Sequence, residues 1–159
     1  MKWLALALLL LSCNREQRAQ HEALAQELRP AAAELCKIQR GEGGGCFGDC
    51  VIWSAAQEGV ALRKAGATLS QLAKIADPDT ERMLADVRSR ARSLHAALSA
   101  CDLQVERTGK PGDDVKRCAQ ARQAHSKESW ALLKAVDTLE ASTEERTGVE
   151  LPPTRSCVD

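Results

Sequence analysis

The sequence predicts an all-α fold: a single up-down-up-down four-helix bundle with disulfide bonds clustered at one pole and an extended C-terminal tail. Apolar residues recur at alternating spacings of three and four in four separate segments, and this spacing lines one face of a helix. Alanine, leucine, glutamate and arginine dominate the composition, which is typical of long helices. The 159 residues also include 7 cysteines, enough for several disulfide bonds.

The first predicted helix begins near His21. Its apolar series is Leu24, Leu28, Ala31, Leu35 and Ile38. Pro30 interrupts the series, so the segment is either one kinked helix or a short leader followed by a helix that starts at Pro30. A glycine-rich loop at 41–45 ends it. This loop lacks the lysine and hydroxyl residue of a phosphate-binding P-loop, and no strand precedes it, so we interpret it as a turn.

The second helix is expected from about Asp49 to Ala76. One row of its heptad pattern is made mostly of very small residues: Ile52, Gly59, Gly66 and Ala73. Glycine inside a helix costs about 1 kcal/mol relative to alanine, so a compensating gain is expected. We predict that these glycines allow a neighbouring helix, or a bulky side chain from one, to approach closely.

The third helix is predicted to start in the turn at 77–80, where Asp77 or Asp79 caps the helix and Pro78 fits its first turn. Its apolar series is Leu84, Val87, Ala91, Leu94, Leu98 and Cys101. Four arginines follow the outer face, at 82, 88, 90 and 92. Because acidic residues alternate with them, we interpret this face as a solvated surface of mixed charge.

The fourth helix is expected from near Asp113 to about Thr143. The apolar face that fits it best is Val115, Cys118, Arg122, His125, Ser129, Leu132, Val136 and Leu139. The middle of this face is polar, which leaves two alternatives. In the first, a pocket for an anion or a metal is formed by Arg122, His125 and Ser129 together with His95 of the third helix. In the second, the fourth helix is rotated slightly, so that Trp130 and Leu133 face the core. We prefer the rotated helix, and we expect His21 to be a boundary residue far from this layer.

The N-terminus has the organisation of an export signal. Lys2 precedes an apolar run, and Leu10-Leu11-Ser12-Cys13 ends it. Nine apolar residues are too few to span a bilayer, which takes roughly 20 in a helix. The last four residues resemble the lipobox of bacterial lipoproteins, which implies cleavage before Cys13 and attachment of lipid, including palmitate, to Cys13. The alternative is that these residues begin a helix and that Cys13 is buried.

The lipobox resemblance divides the chain into three parts. It implies a signal peptide at 1–12 and a lipidated tether at 13–20, followed by the bundle domain with its C-terminal tail at 21–159. Asn14 follows the cysteine where an aspartate tends to retain lipoproteins in the inner membrane. By the same resemblance, we expect the protein in the cell envelope at the cell outer membrane, on its periplasmic or surface face.

With Cys13 lipidated, an even number of cysteines remains. They are Cys36, Cys46, Cys50, Cys101, Cys118 and Cys157. An even number in an exported chain predicts disulfide bonds. Five of them are expected near one pole of the bundle, where the first and third helices end and the second and fourth begin. Cys101 and Cys118 are predicted to pair across the third loop. In the chain-entropy model, a disulfide that closes a loop of this length adds roughly 3 kcal/mol to the free energy of unfolding.

The remaining pairings stay open. Cys36 is expected to pair with Cys46 or Cys50, and the one left over with Cys157, which the extended tail carries back along the bundle. A metal site at Cys46 and Cys50 is the rival interpretation, but this spacing is not that of zinc ribbons and no histidine lies near. The third interpretation of these cysteines is a labile redox disulfide.

The bulk composition narrows the function. The 22 basic residues balance the 22 acidic ones, and the chain has no tyrosine and 1 phenylalanine, which argues against a nucleic-acid-binding protein. No catalytic motif is present, so we predict a non-enzymatic protein without a metal or cofactor. We expect a membrane-anchored protein-interaction or structural module, an assembly factor or an inhibitor, with a protein partner. The alternative is a small-ligand or metal-binding bundle that uses the polar layer of the fourth helix.

Overall fold

In the computed structural model, residues 2–40 and 47–148 are described, and they form five α-helices, one 3₁₀ turn and no strand. The helices are α1 (Lys2–Arg40), α2 (Asp49–Ser70), α3 (Pro78–Ala97), α4 (Asp113–Ala124) and α5 (Ser126–Thr147). The 3₁₀ turn Ser99–Cys101 follows α3. The predicted all-α class is therefore confirmed.

The helices enclose one core of leucine, valine and alanine side chains. α2 packs against α1, α3 and α4, while α5 packs against α1 and α3. Every one of these interfaces buries an apolar stripe, and the largest fully buried side chains are Leu28, Leu35, Leu62, Leu69, Leu84, Leu94, Leu98, Leu132, Leu133, Leu139, Val87 and Val136. Burial of each such side chain contributes about 1.5–3 kcal/mol relative to exposure.

α1 is one helix that continues through Pro30, which settles the alternative between a kinked helix and a restart. All five members of its predicted apolar series are buried. The helix begins at Lys2 and passes through Cys13. Because the apolar part of a signal peptide is itself expected to be helical, cleavage before Cys13 stays a prediction. No helix in the described ranges is long and apolar enough to cross a membrane.

α2 ends at Ser70, so the prediction that it extends to Ala76 is wrong. The heptad row was extended too far: Ala73 and Ala76 are exposed, whereas Leu72 and Ile75 are buried in the connecting loop.

Side chains from other elements hold this loop in place of helical hydrogen bonds. The Arg88 guanidinium donates to the carbonyl of Leu72 (3.1 Å) and also pairs with the Glu81 carboxylate. Glu81 accepts the backbone N–H of Ile75 at 2.9 Å. Arg88 is therefore an inward residue that fixes the loop, not a member of the solvated arginine face. Hydrogen bonds from Ile75 and Arg88 outweigh the effect of burial and lower the pKa of Glu81.

The start of α3 agrees with the prediction. Asp77 is the N-cap and accepts the backbone N–H of Thr80 at 2.9 Å, and Pro78 is the first helical residue. The whole predicted apolar series of α3, through Leu98 to Cys101, is buried.

The two glycines of α2 are sites of close approach, as predicted. A Cβ atom on Gly59 would lie 2.6 Å from the Cys101 Sγ and 2.9 Å from the Cys118 Sγ. A Cβ on Gly66 would lie 2.9 Å from the carbonyl oxygen of Ala91 on α3. Real Cβ atoms essentially never come so close to another heavy atom. Gly59 therefore leaves room for a disulfide, and Gly66 lets two helix backbones approach.

The predicted bond between Cys101 and Cys118 is present, and both residues are buried. It packs against Gly59, nine residues after Cys50, which is about 14 Å further along α2. The bond thus contacts the middle of α2 rather than its first turn, where the predicted pole lies. Cys36 and Cys50 are also disulfide-bonded. Cys46 and Cys157 lie outside the described residues, so their predicted pairings stay predictions.

The predicted fourth helix is divided at His125 into α4 and α5, and α5 continues to Thr147 rather than ending near Thr143. The Ser129 hydroxyl donates to the carbonyl of Ser126 at 2.7 Å. The backbone of His125 interrupts the helix, with φ −107° and ψ 27°, although neither proline nor glycine lies there.

We expect Gly59→Ala to lower the free energy of unfolding by roughly 1–3 kcal/mol, because the new methyl group overlaps the Cys101 and Cys118 sulfur atoms. Chemical denaturation monitored by circular dichroism measures this. In a Cys101→Ala/Cys118→Ala background, most of that cost should disappear. A stabilisation of about 1 kcal/mol in the disulfide-bonded protein, the gain that helix propensity alone gives, would contradict the proposed role of Gly59.

Candidate functional site

The residues of the predicted polar layer do not converge on one pocket. Arg122 turns toward α2, where its Nε lies 3.3 Å from a Glu58 carboxylate oxygen. His95 also faces α2, and its Nδ1 lies 3.0 Å from the carbonyl oxygen of Arg63. Both side chains are largely engaged in contacts between helices.

The other two members of the layer face elsewhere. Ser129 is fully buried and bonds within its own helix. His125 is partly exposed and lines an open groove of about 500 Å³ between α3 and the start of α5. Its Nδ1 lies 3.8 Å from Glu128, and on the α3 side of the groove Arg90 pairs with Asp86 at 2.8 Å. Both basic residues of this groove therefore already have a carboxylate beside them.

The alternative orientation of the fourth helix is half right. Leu133 is fully buried, as the rotated helix requires, but Trp130 is 41% exposed. The predicted apolar series is itself buried at both ends, with Val115 and Cys118 in α4 and Leu132, Val136 and Leu139 in α5.

A second polar cluster joins the N-terminal part of α1, the start of α3 and the end of α5. His21 is only 3% exposed, so the prediction that it is a boundary residue is wrong. Its Nδ1 lies 2.7 Å from the carbonyl oxygen of Gln17, and its Nε2 lies 3.1 Å from the Thr80 hydroxyl. Thr80 donates its hydroxyl proton to Asp77, which also pairs with Arg146 at 2.8 Å.

Charge in this cluster is arranged around Asp77. Burial acts to raise the pKa of the Asp77 carboxyl, but hydrogen bonds from the Thr80 side chain and backbone, together with the Arg146 guanidinium, outweigh it and lower that pKa. Asp77 is therefore ionised at neutral pH. Histidine, threonine and aspartate side chains also occur together in hydrolases, but Thr80 is fully buried here, so no substrate reaches its hydroxyl.

The helix pattern of the sequence contains a signal for this cluster. His21 precedes Leu24 by three residues, and Thr80 precedes Leu84 by four, so both extend the buried face of their helix. A polar residue at the end of a buried face on two helices that meet is a candidate for a buried hydrogen bond.

A third polar feature lies where α5 packs on α1. Glu140 of α5 is 4% exposed. Burial, together with the charges of Asp137 and Glu144, raises the pKa of Glu140 to about 8, although Arg29 of α1 acts in the opposite direction. Among the residues that the structure describes, the buried Glu140 Oε2 and Asp137 Oδ1 have no hydrogen-bond partner.

These features do not assemble a metal centre. Within the described ranges, no three histidine, cysteine, aspartate or glutamate side chains come together in a way that could hold a metal ion. The proposed rival site at Cys46 and Cys50 involves a residue outside those ranges, and Cys50 is disulfide-bonded.

The charge on Asp77 is expected to stabilise the fold in a pH-dependent way. Asp77→Asn keeps an N-cap oxygen but removes the charge that faces Arg146, and should cost roughly 1–2 kcal/mol at pH 7. Because the pKa of Asp77 is lowered by folding, its stabilisation is present above the unfolded value of 3.8 and is lost as the pH falls below it. Urea denaturation from pH 3 to 7 should therefore show the two proteins converging in acid.

Asp79→Asn is the matched control. Asp79 lies two residues away but is exposed, and it is 3.9 Å from the same Arg146. Its replacement should change the free energy of unfolding by less than about 0.5 kcal/mol. Equal effects of the two substitutions would contradict a special role for Asp77.

No protein-family model, curated protein or solved structure matches this chain.

Proposed function

We propose that the protein is a lipid-anchored envelope lipoprotein that holds a rigid helical bundle near the membrane and binds a protein partner at the pole away from its anchor. In this proposal α4 and α5 together are the fourth helix of an up-down-up-down bundle, and Cys13 carries the lipid. The module is non-enzymatic, and assembly or inhibition of another envelope protein is the kind of role that it serves.

The arrangement of α1 supports such an anchor. Residues 15–19 are exposed, and no residue that the structure describes as buried precedes His21. His21 is eight positions after Cys13, about 12 Å along a helix, so the bundle would lie close to the membrane.

Phe47 carries the proposal of a partner. It is 92% exposed, and Val51, one helical turn further on, is 42% exposed. A solvated phenylalanine beside a second apolar residue is typical of an aromatic anchor in a protein interface.

The location of Phe47 fits the same proposal. The backbone N–H of Ala76 donates to the Gln20 side chain at 3.0 Å, so the chain after α2 has returned to the level of His21 on α1. Phe47 precedes α2 and thus belongs to the opposite pole, away from Cys13. The anchor and the exposed aromatic ring would then lie at the two ends of one rigid body.

Binding of a small ligand is the second candidate. The groove beside His125 has about 500 Å³ and carries both acidic and basic side chains. Because Arg90 is already paired with Asp86 and His125 lies 3.8 Å from Glu128, a ligand that binds there has to displace existing contacts. A partner that binds at the exposed Phe47 has no ion pair to displace, so Phe47 supports protein binding more strongly than the groove supports ligand binding.

The proposed function is tested on the full chain expressed with its own N-terminus. Mass spectrometry of the purified protein should show a chain that begins at Cys13 and carries acyl groups. Native co-purification should recover an envelope protein whose yield falls about 30-fold with Phe47→Ala, the loss expected for an interface residue worth about 2 kcal/mol.

Trp130→Ala is the control, since Trp130 is also an exposed aromatic residue but lies on α5. It should leave the yield of the same partner unchanged, and the thermal midpoint of Phe47→Ala should equal that of the wild type. A purified protein that still begins at Met1 would contradict the proposed lipid anchor. Equal losses with Phe47→Ala and Trp130→Ala would overturn the proposed interface.

A further inference from the structure

Trp130 is an exposed aromatic residue that the proposed partner interface at Phe47 does not use. Its side chain is 41% exposed at the surface of α5. Lys127 precedes it by three residues and Lys134 follows it by four, and both lysines are exposed. Residues at these spacings are neighbours on one side of a helix, so the indole ring lies between two ammonium groups. We call Lys127, Trp130 and Lys134 the basic face of α5.

The two lysines of the basic face have no acidic partner in the described part of the chain. The basic side chains of α4 and α5 that do lie beside a carboxylate are Lys116, Arg122, His125 and Arg146. Glu128 is two residues before Trp130, which places it about 200° around the helix, on the side of His125. The charges of Lys127 and Lys134 are therefore available to an anionic surface.

The charge of α4 and α5 is distributed unevenly along the chain. Residues 115–136 contain five lysines and arginines and one acidic residue, although the charges of the whole sequence balance. Residues 137–148 contain four acidic residues and one arginine. Trp130 lies in the basic part, and Asp137, which is partly buried, begins the acidic part seven residues further on. This distribution favours an anionic partner for the surface around Trp130.

A tryptophan between lysines has the side-chain chemistry of a contact with an anionic membrane surface. The indole ring has an apolar body and a polar N–H, and it is enriched where lipid headgroups meet hydrocarbon. A lysine can lay its apolar stem along this boundary while its ammonium group stays among the headgroups. Anionic lipids attract such a surface, and neutral lipids do not. The basic face thus fits an anionic bilayer surface through both its ring and its charge.

The distance between the basic face and the predicted anchor would set the orientation of the bundle. Arg146, sixteen residues after Trp130, reaches Asp77 beside His21, so Trp130 is about 24 Å from that end of the bundle along α5. Cys13 is about 12 Å beyond His21 along α1. α5 packs on α1, so the two points belong to neighbouring helices. Contact of both points with one bilayer requires the bundle to lie along the membrane.

We propose that the basic face of α5 binds the anionic lipid headgroups of the membrane that holds the Cys13 anchor. The bundle then lies along the bilayer, and Phe47 at its far end stays available to a protein partner. The inference rests on the proposed function in one respect, because the lipid on Cys13 is what brings the basic face to a membrane.

The full chain, expressed with its own N-terminus and reconstituted into vesicles, tests the proposal through the fluorescence of Trp130. Vesicles of phosphatidylcholine are compared with vesicles that also contain phosphatidylglycerol, both with brominated acyl chains that quench tryptophan. The signal of Trp130 is the difference between the wild type and Trp130→Phe, which subtracts every other tryptophan, including the buried Trp53. We expect quenching and a blue shift of Trp130 emission with phosphatidylglycerol, and the loss of both at high salt.

Lys127→Gln/Lys134→Gln should lower the ratio of membrane-bound to free basic face by about 30-fold, since each lysine near an anionic surface contributes about a factor of five. Lys64→Gln/Lys74→Gln is the matched control. It removes the same charge from two exposed lysines elsewhere in the chain and should leave the quenching of Trp130 as in the wild type. Equal losses in the two double variants would show that net charge rather than the basic face attracts the membrane, and would overturn the proposal.

Failure of the anchor and failure of the basic face give different results. Trp130 that phosphatidylglycerol vesicles do not quench overturns this inference, and acyl groups found on Cys13 of the same sample leave the anchor intact. Quenching of Trp130 in a chain that mass spectrometry finds without acyl groups supports the basic face and overturns the anchor. Shielding of Trp130 by a co-purifying acidic protein, without quenching by lipid, would assign the face to a protein and overturn the inference.

Discussion

The contact between the Cys101–Cys118 disulfide and Gly59 is the constraint on which the helix arrangement depends. α2 is the helix that touches α1, α3 and α4, and the disulfide joins the end of the α3 segment to α4 directly over its middle. A side chain at position 59 would push the bond away and separate these elements. Gly66, one heptad further on, extends the same close approach along α3. The helix-propensity cost of two glycines is therefore offset by a covalent bond and a backbone contact that no larger residue permits.

That close packing explains why the polar residues of α4 and α5 do not form one pocket. With the disulfide seated on Gly59, Arg122 is carried against α2 and meets Glu58. His125 lines the groove beside α3, while Leu133 is buried in the core. Arg122 and His95 contact α2, whereas His125 lies beside Glu128 and Ser129 bonds to Ser126 of its own helix. The residues of the predicted layer therefore have different partners and do not converge on one pocket.

The parts of the fold that were predictable from sequence are those set by local spacing. The buried faces of α1 and α3, the Asp77 cap and the pairing of Cys101 with Cys118 all follow from periodicity, capping preference or a short loop. The end of α2 was not predictable from the spacing of α2 itself. Arg88 and Glu81 of a different helix hold the loop after Ser70, and their hydrogen bonds replace helical ones there. The candidate layer failed for a related reason: Arg122 and His95 contact Glu58 and Arg63 of α2, and spacing along one helix does not specify such partners. His21 fits the spacing of its own helix, but the Thr80 hydroxyl that packs against it comes from a distant part of the chain, and the burial of Glu140 likewise depends on what packs over it.

α1 is where the structural and functional arguments meet. It contains the predicted lipidation site at Cys13, and its buried contacts combine apolar packing with the polar contact between His21 and Thr80. Fully buried apolar side chains such as Leu28 and Leu35 supply the main driving force for its docking. Cys36 of α1 and Cys50 of α2 are each disulfide-bonded, and α2 also packs against the Cys101–Cys118 bond at Gly59. Covalent bonds therefore constrain both helices, and the apolar core joins them to α3, α4 and α5.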